Sequence, residues 1–203
     1  MAMWADRVLP RIIDRGMRNA FMDDHRYRAA PLASGRVLEI GAGSGLNFPH
    51  YSAAVSHLFA LEPSAYLREK AGEVAAAAPF PVDMLNASAE SIPLETHAVD
   101  TVVSSWTMCS IPDLETSLQE VRRVLKPGGR LVFIEHGRSP EAHVSRWQDR
   151  LAPLSARVLG CSLNRPVGEL VTAAGFELLQ LESGYFDGPK LLAYHFVGQA
   201  QPR

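Results

Sequence analysis

At 203 residues, with 47% apolar and 21% charged residues, the chain has the composition of one folded domain and not of a disordered segment. Twenty basic against 22 acidic residues, a formal charge of −2, give no electrostatic case for nucleic-acid binding, and two cysteines are too few for a disulfide framework or a zinc ribbon. No apolar run approaches the roughly 18 residues of a membrane span, and Arg7, Arg11 and Arg15 interrupt any signal-peptide core, so a cytoplasmic, reducing setting without integral membrane association is expected.

The first predicted element is an amphipathic arm. Trp4, Val8 and Ile12, with Leu9, Ile13, Met17 and Phe21, recur at helical spacing beside arginines, and Pro10 breaks or delays the helix. Residues 1–36 hold seven arginines against four aspartates, a local +3 that leaves −5 for the remainder. Residues 1–35 are therefore read as a helical arm or lid of the same domain, which occupies residues 36–203. Contact of residues 4–22 with a membrane surface stays open as an alternative.

From Arg36 onward strand and helix signals alternate. Val37–Ile40 reads as a buried strand ending in a glycine-rich turn, residues 44–53 as helical, and residues 58–62 as the next strand. Ser64 is a candidate N-cap for an alanine-rich helix reaching Ala78, and Pro81–Leu85 a weaker edge strand. Val99–Ser104 follows as a strand, then a helix over Asp113–Leu125 stopped by Lys126-Pro127-Gly128-Gly129, then a strand over Leu131–Ile134. Val144, Trp147, Leu151 and Leu154 mark another amphipathic helix, and Phe176–Leu181 with Leu191–Val197 a closing antiparallel pair joined through a Gly184–Pro189 turn. The alternation implies an α/β doubly wound, Rossmann-like sheet, mostly parallel, with a C-terminal antiparallel hairpin and an N-terminal helical arm.

Ligands of such sheets bind beyond the carboxyl ends of the strands. Glu39-Ile40-Gly41-Ala42-Gly43-Ser44-Gly45 ends the first strand in a turn whose glycines let a ligand approach the backbone. Leu46 stands where a dinucleotide fingerprint places its third glycine. Glu62, 19 residues beyond Gly43, is positioned to accept hydrogen bonds from ribose hydroxyls. A carboxylate at Glu39 would repel a pyrophosphate but suits a ligand carrying ammonium and sulfonium charges.

These residues resemble the class I S-adenosylmethionine-dependent methyltransferases, over about Arg36 to Phe196. Glu39–Gly45 is similar to the family's first motif and Glu62-Pro63-Ser64 to its second-strand acid. Ala89-Glu90-Ser91-Ile92-Pro93 resembles the segment beside adenine, with Ser88 where an aspartate is common, and Glu120–Gly129 resembles the helix and turn before the fifth strand. Gly45-Leu46-Asn47-Phe48, Met108-Cys109-Ser110, Glu135-His136, Trp147-Gln148 and Gly160-Cys161-Ser162-Leu163 with Arg165 look closest to the small-molecule thiol methyltransferases of the methyltransferase-like seven type.

The resemblance implies S-adenosyl-L-methionine as donor, S-adenosyl-L-homocysteine as product, no metal, and a small-molecule acceptor. It points to Glu39, Gly41, Ala42, Gly43, Asn47, Glu62, Pro63, Ser64, Ala87, Ser88, Ala89, Ser105 and Trp106 as donor-binding residues. Methyl transfer to a thiol needs no general base, whereas a hydroxyl or ring carbon would draw on His136, Glu135 or Cys109. Two other functions stay in view: an NAD(P)-dependent oxidoreductase, against which Leu46 counts, and a non-catalytic donor-binding partner subunit.

Overall fold

The computed structural model describes Trp4 and residues 8–203; Arg7 and the remainder of the arm's first seven residues lie outside the described residues. Seven strands, β1 (Gly35–Ile40), β2 (Val55–Leu61), β3 (Val82–Leu85), β4 (Val99–Ser105), β5 (Leu125–His136), β6 (Phe176–Tyr185) and β7 (Tyr194–Pro202), form one sheet in the order β3-β2-β1-β4-β5-β7-β6. Strands β1 to β5 pair in parallel, and β7 runs antiparallel to both β5 and β6. A dinucleotide-binding sheet has the order 3-2-1-4-5-6. Inserting the reversed β7 between β5 and β6 departs from it, and Tyr194–Pro202 is the hairpin strand expected from sequence.

Side-chain alternation divides the core. Along β1 and β2, Val37, Leu58 and Ala60 face a cluster with Phe48, Tyr51 and Ala71, whereas Leu38, Phe59 and Leu61 face a second one with Leu118, Val121 and Phe133. The two clusters belong to opposite sheet faces, covered by helices α3 (Ala65–Ala75) and α4 (Leu114–Val124). Burial on both faces explains the apolar runs Val37-Leu38 and Leu58–Leu61 in these strands. Ser64 accepts from Leu67 N, and Asp113 caps α4 by accepting from Thr116 N at 3.0 Å.

Several boundaries differ from the sequence expectation. Residues 44–53 make no α-helix; only Phe48–His50 forms a single 3-10 turn, with Pro49 in it. Lys126-Pro127-Gly128-Gly129 does end α4, but these residues already belong to β5, because Leu125 pairs with Val99 ahead of an irregularity in register. Helix α6 (Val167–Ala173) and the short α7 (Lys190–Ala193) carried too little periodicity to be read, and α7 replaces the start assigned to the last strand. The arm divides into α1 (Leu9–Met17), with Pro10 tolerated in its first turn, and α2 (Ala20–Arg26), capped by Asn19 accepting from Met22 N.

Helix α5 (Ala142–Leu159) buries a different face from the one its apolar spacing suggests. Val144, Ser145, Gln148, Ala152 and Ser155 point inward, while Trp147 and Leu154 are 54% and 60% exposed. Gln148 supplies the reason. Its amide donates to Gly137 O at 3.0 Å and Leu191 O at 3.1 Å and accepts from Ser139 N at 2.9 Å, tying three segments together without solvent. Gln148→Ala is therefore expected to cost about 2–4 kcal/mol by stranding two buried backbone groups and one half-buried one, which lowers Tm by roughly 5–15 °C in a domain of this size. Trp147→Ala should change stability by less than about 1 kcal/mol. Thermal denaturation of the two variants checks the contrast, and equal shifts would refute it.

Candidate functional site

Strand order reverses between β1 and β4, and a cavity of about 420 Å³ opens over the carboxyl ends of β1, β2 and β4. That size lies within the ~300–1,000 Å³ of small-molecule sites. Its wall combines the glycine turn (Gly41, Ala42, Gly43), the strand-end acids Glu39 and Glu62, the loop residues Ser88 and Ala89, and Ser105 with Trp106 after β4. Leu9, Pro10, Ile13, Asp14 and Met17 of the arm close another side.

The glycine turn has a physical requirement at two positions. Gly41 adopts φ +62°, and a Cβ there would land in the Thr107 side chain. Gly43, at φ +57°, is open instead: a Cβ would meet only Gly41 O, at 4.0 Å, so its missing side chain leaves room that belongs to the cavity. The peptide is fixed from behind by Glu62, whose carboxylate accepts from Gly43 N at 3.0 Å and Ser64 N at 2.8 Å. Burial nevertheless holds the Glu62 pKa above its ordinary value, against the opposing pull of those two bonds and of Arg68. Sequence reasoning gave Glu62 a ligand role; its clamp on the turn was not legible.

Glu39 is fully enclosed, with Tyr51 Oη donating to one carboxylate oxygen at 2.8 Å and Asn47 Nδ2 to the other at 2.7 Å. Desolvation pushes its pKa up to about 7, against the hydrogen bonds and the charge of Arg26. Asn47 also donates to Ser105 Oγ at 2.9 Å, linking the ends of β1 and β4. Arg26, which sequence shows only as one of the arm's seven arginines, is buried in the cavity wall with its guanidinium 5.5 Å from the Trp106 ring. Burial lowers its pKa. Trp106 itself lines the site and holds φ +52°, a left-handed conformation that costs about 1–3 kcal/mol in a non-glycine residue.

The arm packs on this turn through polar contacts as well as apolar ones. Ser44 Oγ donates to Asp14, Arg18 donates to Ser44 Oγ at 3.1 Å, and Trp4 Nε1 donates to Val158 O of α5 at 3.1 Å.

Of the thirteen residues expected to bind the donor, the cavity wall contains all but Ala87, which packs against the core beneath it. The three candidate catalytic residues lie outside the wall. Glu135 holds the loop after β4: its Oε1 accepts from Ser104 Oγ at 2.7 Å, Thr107 N at 3.0 Å and Met108 N at 3.1 Å, and burial raises its pKa. His136 Nε2 sits 2.9 Å from Cys161 Sγ. Burial opposes charge on His136, yet the Cys161 contact and the nearby Glu135 raise its pKa overall. Cys161 is pulled down to about 5, first by its hydrogen bond with Cys109 and then by His136.

Glu62→Ala removes the clamp and the carboxylate together. A loss of about 1.5–3 kcal/mol of adenosyl-ligand binding, roughly ten- to a hundredfold in Kd, is expected by calorimetry. Glu62→Gln, which keeps an acceptor oxygen, should lose less; equal affinity in all three proteins would remove Glu62 from the site.

Comparison with known proteins places these features among relatives. A family described as a methyltransferase domain matches residues 38–133. Human thiol S-methyltransferase TMT1B is 31% identical over 157 residues, 74% of this chain and 64% of that protein. Demethylmenaquinone methyltransferase of Clavibacter sepedonicus is 32% identical over 120 residues, 59% of this chain and 49% of that protein. The chain spans only 49%, 37% and 38% of the lengths of the Clavibacter enzyme, rat TMT1B and the yeast mitochondrial methyltransferase OMS1. Among solved structures, a SAM-dependent methyltransferase of Thermotoga maritima superposes with a TM-score of 0.71 at 22% identity, covering 99% of this chain and all of that one. A Haloferax volcanii methyltransferase complex with the activator Trm112 reaches 0.72 at 19%, covering 98% and 97%. At those identities the likeness is one of fold. Among the described residues no helix is long and apolar enough to cross a membrane.

Proposed function

The chain belongs to the class I S-adenosylmethionine-dependent methyltransferases, and from that premise we propose that it transfers a methyl group from S-adenosylmethionine to a small, mainly apolar acceptor, a thiol ahead of a hydroxyl or ring carbon. The observation that carries the reading is the pair of buried acids, Glu39 and Glu62, flanking an open glycine turn in one cavity. Two carboxylates suit a ligand with a cationic amino-acid end and a ribose, and the turn leaves the space such a ligand needs. When bound, the donor supplies an electrophilic methyl carbon on a sulfonium.

In this reading Glu39 holds the ammonium group, Glu62 accepts from the ribose hydroxyls, and Ser88, Ala89 and Pro63 border the base. Residues 1–35 act as a lid on the 36–203 domain: Leu9, Ile13 and Met17 exclude water and present an apolar surface to the acceptor. The ionisable side chains in the described wall are Asp14, Arg26, Glu39, Glu62 and Glu90, with no histidine or cysteine among them. Asp14 already accepts from Ser44 and Arg18. An acceptor that arrives nucleophilic fits this wall best, and a thiol of pKa near 8.5 carries a thiolate fraction at neutral pH. The thiol preference is supported by the relatives named thiol S-methyltransferase, and the ring-carbon alternative by the demethylmenaquinone enzyme.

Calorimetry with S-adenosylhomocysteine, NADH and NADPH, followed by incubation of labelled donor with thiols, phenols and quinone-like rings, tests the proposal. Adenosylhomocysteine binding with label in a thiol product is expected. Nicotinamide binding in its place would establish the oxidoreductase, which the reversed β7 and Leu46 disfavour; donor binding with turnover only after adding a partner would establish the non-catalytic subunit.

A further inference from the structure

Cys109 and Cys161 lie 52 positions apart in sequence, and the fold brings them together with His136. One ligand atom from each, Sγ, Sγ and an imidazole nitrogen, lies within 4.8 Å of the other two, and His136 Nε2 is 2.9 Å from Cys161 Sγ. We propose that Cys109, His136 and Cys161 form a binding site for one zinc-class divalent cation, with a fourth coordination position left to an exogenous ligand. This site is separate from methyl transfer and does not depend on it.

The geometry is near that of a bound ion. Zn–S bonds of about 2.3 Å and Zn–N bonds of about 2.0–2.1 Å give a tetrahedron whose edges are about 3.5–3.8 Å; the 2.9 Å His136–Cys161 separation and the 4.8 Å bound on all three bracket those edges, so small side-chain rotations convert the cluster into a ligand set. Two sulfurs and one imidazole select zinc and its softer neighbours over magnesium or calcium, which take oxygen. Two thiolates also neutralise a divalent charge, as a buried position requires: Cys109 and His136 are buried and Cys161 is half-buried.

A second observation, independent of the ligand atoms, is that the three supporting backbones are bonded to one another. Ser162 N, next to Cys161, donates to Cys109 O at 2.8 Å. Glu135, next to His136, accepts from Thr107 N and Met108 N and so fixes the turn that carries Cys109. The Arg165 guanidinium donates to Met108 O and Ile111 O on either side of it. Each ligand's position is thus set by a neighbour of another, the preorganisation that a metal site needs. Three protein ligands and an open fourth place are the pattern of zinc sites that take up water or a substrate atom.

The test is a cobalt(II) titration of the reduced, chelator-stripped full chain. One equivalent should give thiolate-to-cobalt charge-transfer absorption and the intense ligand-field bands of tetrahedral cobalt, and zinc should bleach both. Cys109→Ser and Cys161→Ser are expected to weaken affinity by at least about a hundredfold and His136→Gln by at least about tenfold, with far-ultraviolet circular dichroism reporting that each variant is folded. The wild-type titration decides the matter if a variant does not fold. Absence of tetrahedral bands at stoichiometric cobalt, or isolation of the reductant-free protein as a zinc-free Cys109–Cys161 disulfide, overturns the proposal, the latter in favour of a redox pair.

Discussion

Replacing Gly43 by valine is expected to abolish measurable binding of S-adenosylmethionine while leaving a folded, less stable chain. Only one atom comes within reach of a Cβ at this position, Gly41 O at 4.0 Å, so the valine methyls would enter the cavity and not the protein core. The same backbone stands at φ +57°, where a β-branched residue costs about 1–3 kcal/mol; at about 2–4 °C per kcal/mol, Tm should fall by roughly 2–12 °C. Steric exclusion by two methyl groups in a well-fitted pocket should raise Kd by at least about a hundredfold. Gly43→Ala isolates the backbone effect, since it carries most of the strain and a single methyl. Calorimetry on both variants with S-adenosylhomocysteine, beside a thermal melt, separates the terms. Unchanged affinity in the valine variant would place the donor elsewhere.

Much of this arrangement is readable from sequence because local chemistry and fold agree. Strands β1, β2 and β4 are short, mainly apolar and largely buried; β1 ends before Gly41, β2 before Glu62 and β4 in Ser104-Ser105, where apolar character gives way. Twelve of the thirteen expected donor-site residues converge for that reason: in a parallel sheet, the residue after each strand lies at the same edge. The misses are equally physical. Residues 44–53 have helical spacing, but Phe48, Pro49 and Tyr51 serve as core and turn residues, and Phe48 and Tyr51 are buried in the cluster below β1 and β2. Apolar spacing puts Trp147 on one stripe with Val144, Leu151 and Leu154, yet a fully buried glutamine beside it sets the inward face. Arg26 and the Cys109–His136–Cys161 grouping depend on contacts across more than 20 residues, which no periodicity records.

The charge asymmetry of the chain acquires a location. Arg18 bonds Asp14 and Ser44 beside the glycine turn, and Arg28 bonds Glu182 on β6 at 2.6 Å, so the basic arm is bound to the more acidic body at both ends of α2. Exposed pairs of this kind contribute about 0–1 kcal/mol each. They position the arm; the apolar contacts of Leu9, Ile13 and Met17 with the cavity would supply more of its hold, about 25 cal/mol for each Å² buried. In the lid role proposed for it, an arm held this weakly suits the admission and release of ligands.

Donor affinity is expected to rise with pH across the range below neutrality, and Glu39 is the cause. In the free chain its pKa stands at about 7, raised by desolvation. An acid with a raised folded-state pKa contributes most to stability below its unfolded value, near 4.3–4.5, and that contribution is lost as pH climbs toward 7 and stays lost above it. A cationic ammonium reverses the preference, because it favours the ionised carboxylate; binding below pH 7 must therefore release a proton from Glu39. If only the ionised form binds, Kd at pH 6 should exceed Kd at pH 7.5 by about eightfold. Glu39→Gln, which keeps one oxygen to accept from Asn47 and can donate its amide to Tyr51 Oη in place of the second bond, should bind weakly with little dependence on pH in this window. Calorimetry in two buffers of different ionisation enthalpy measures the proton directly. Proton release near pH 6 in the wild type, absent from the variant, is the expected result; pH-independent affinity in the wild type would mean that Glu39 orders Asn47 and Tyr51 without meeting the donor.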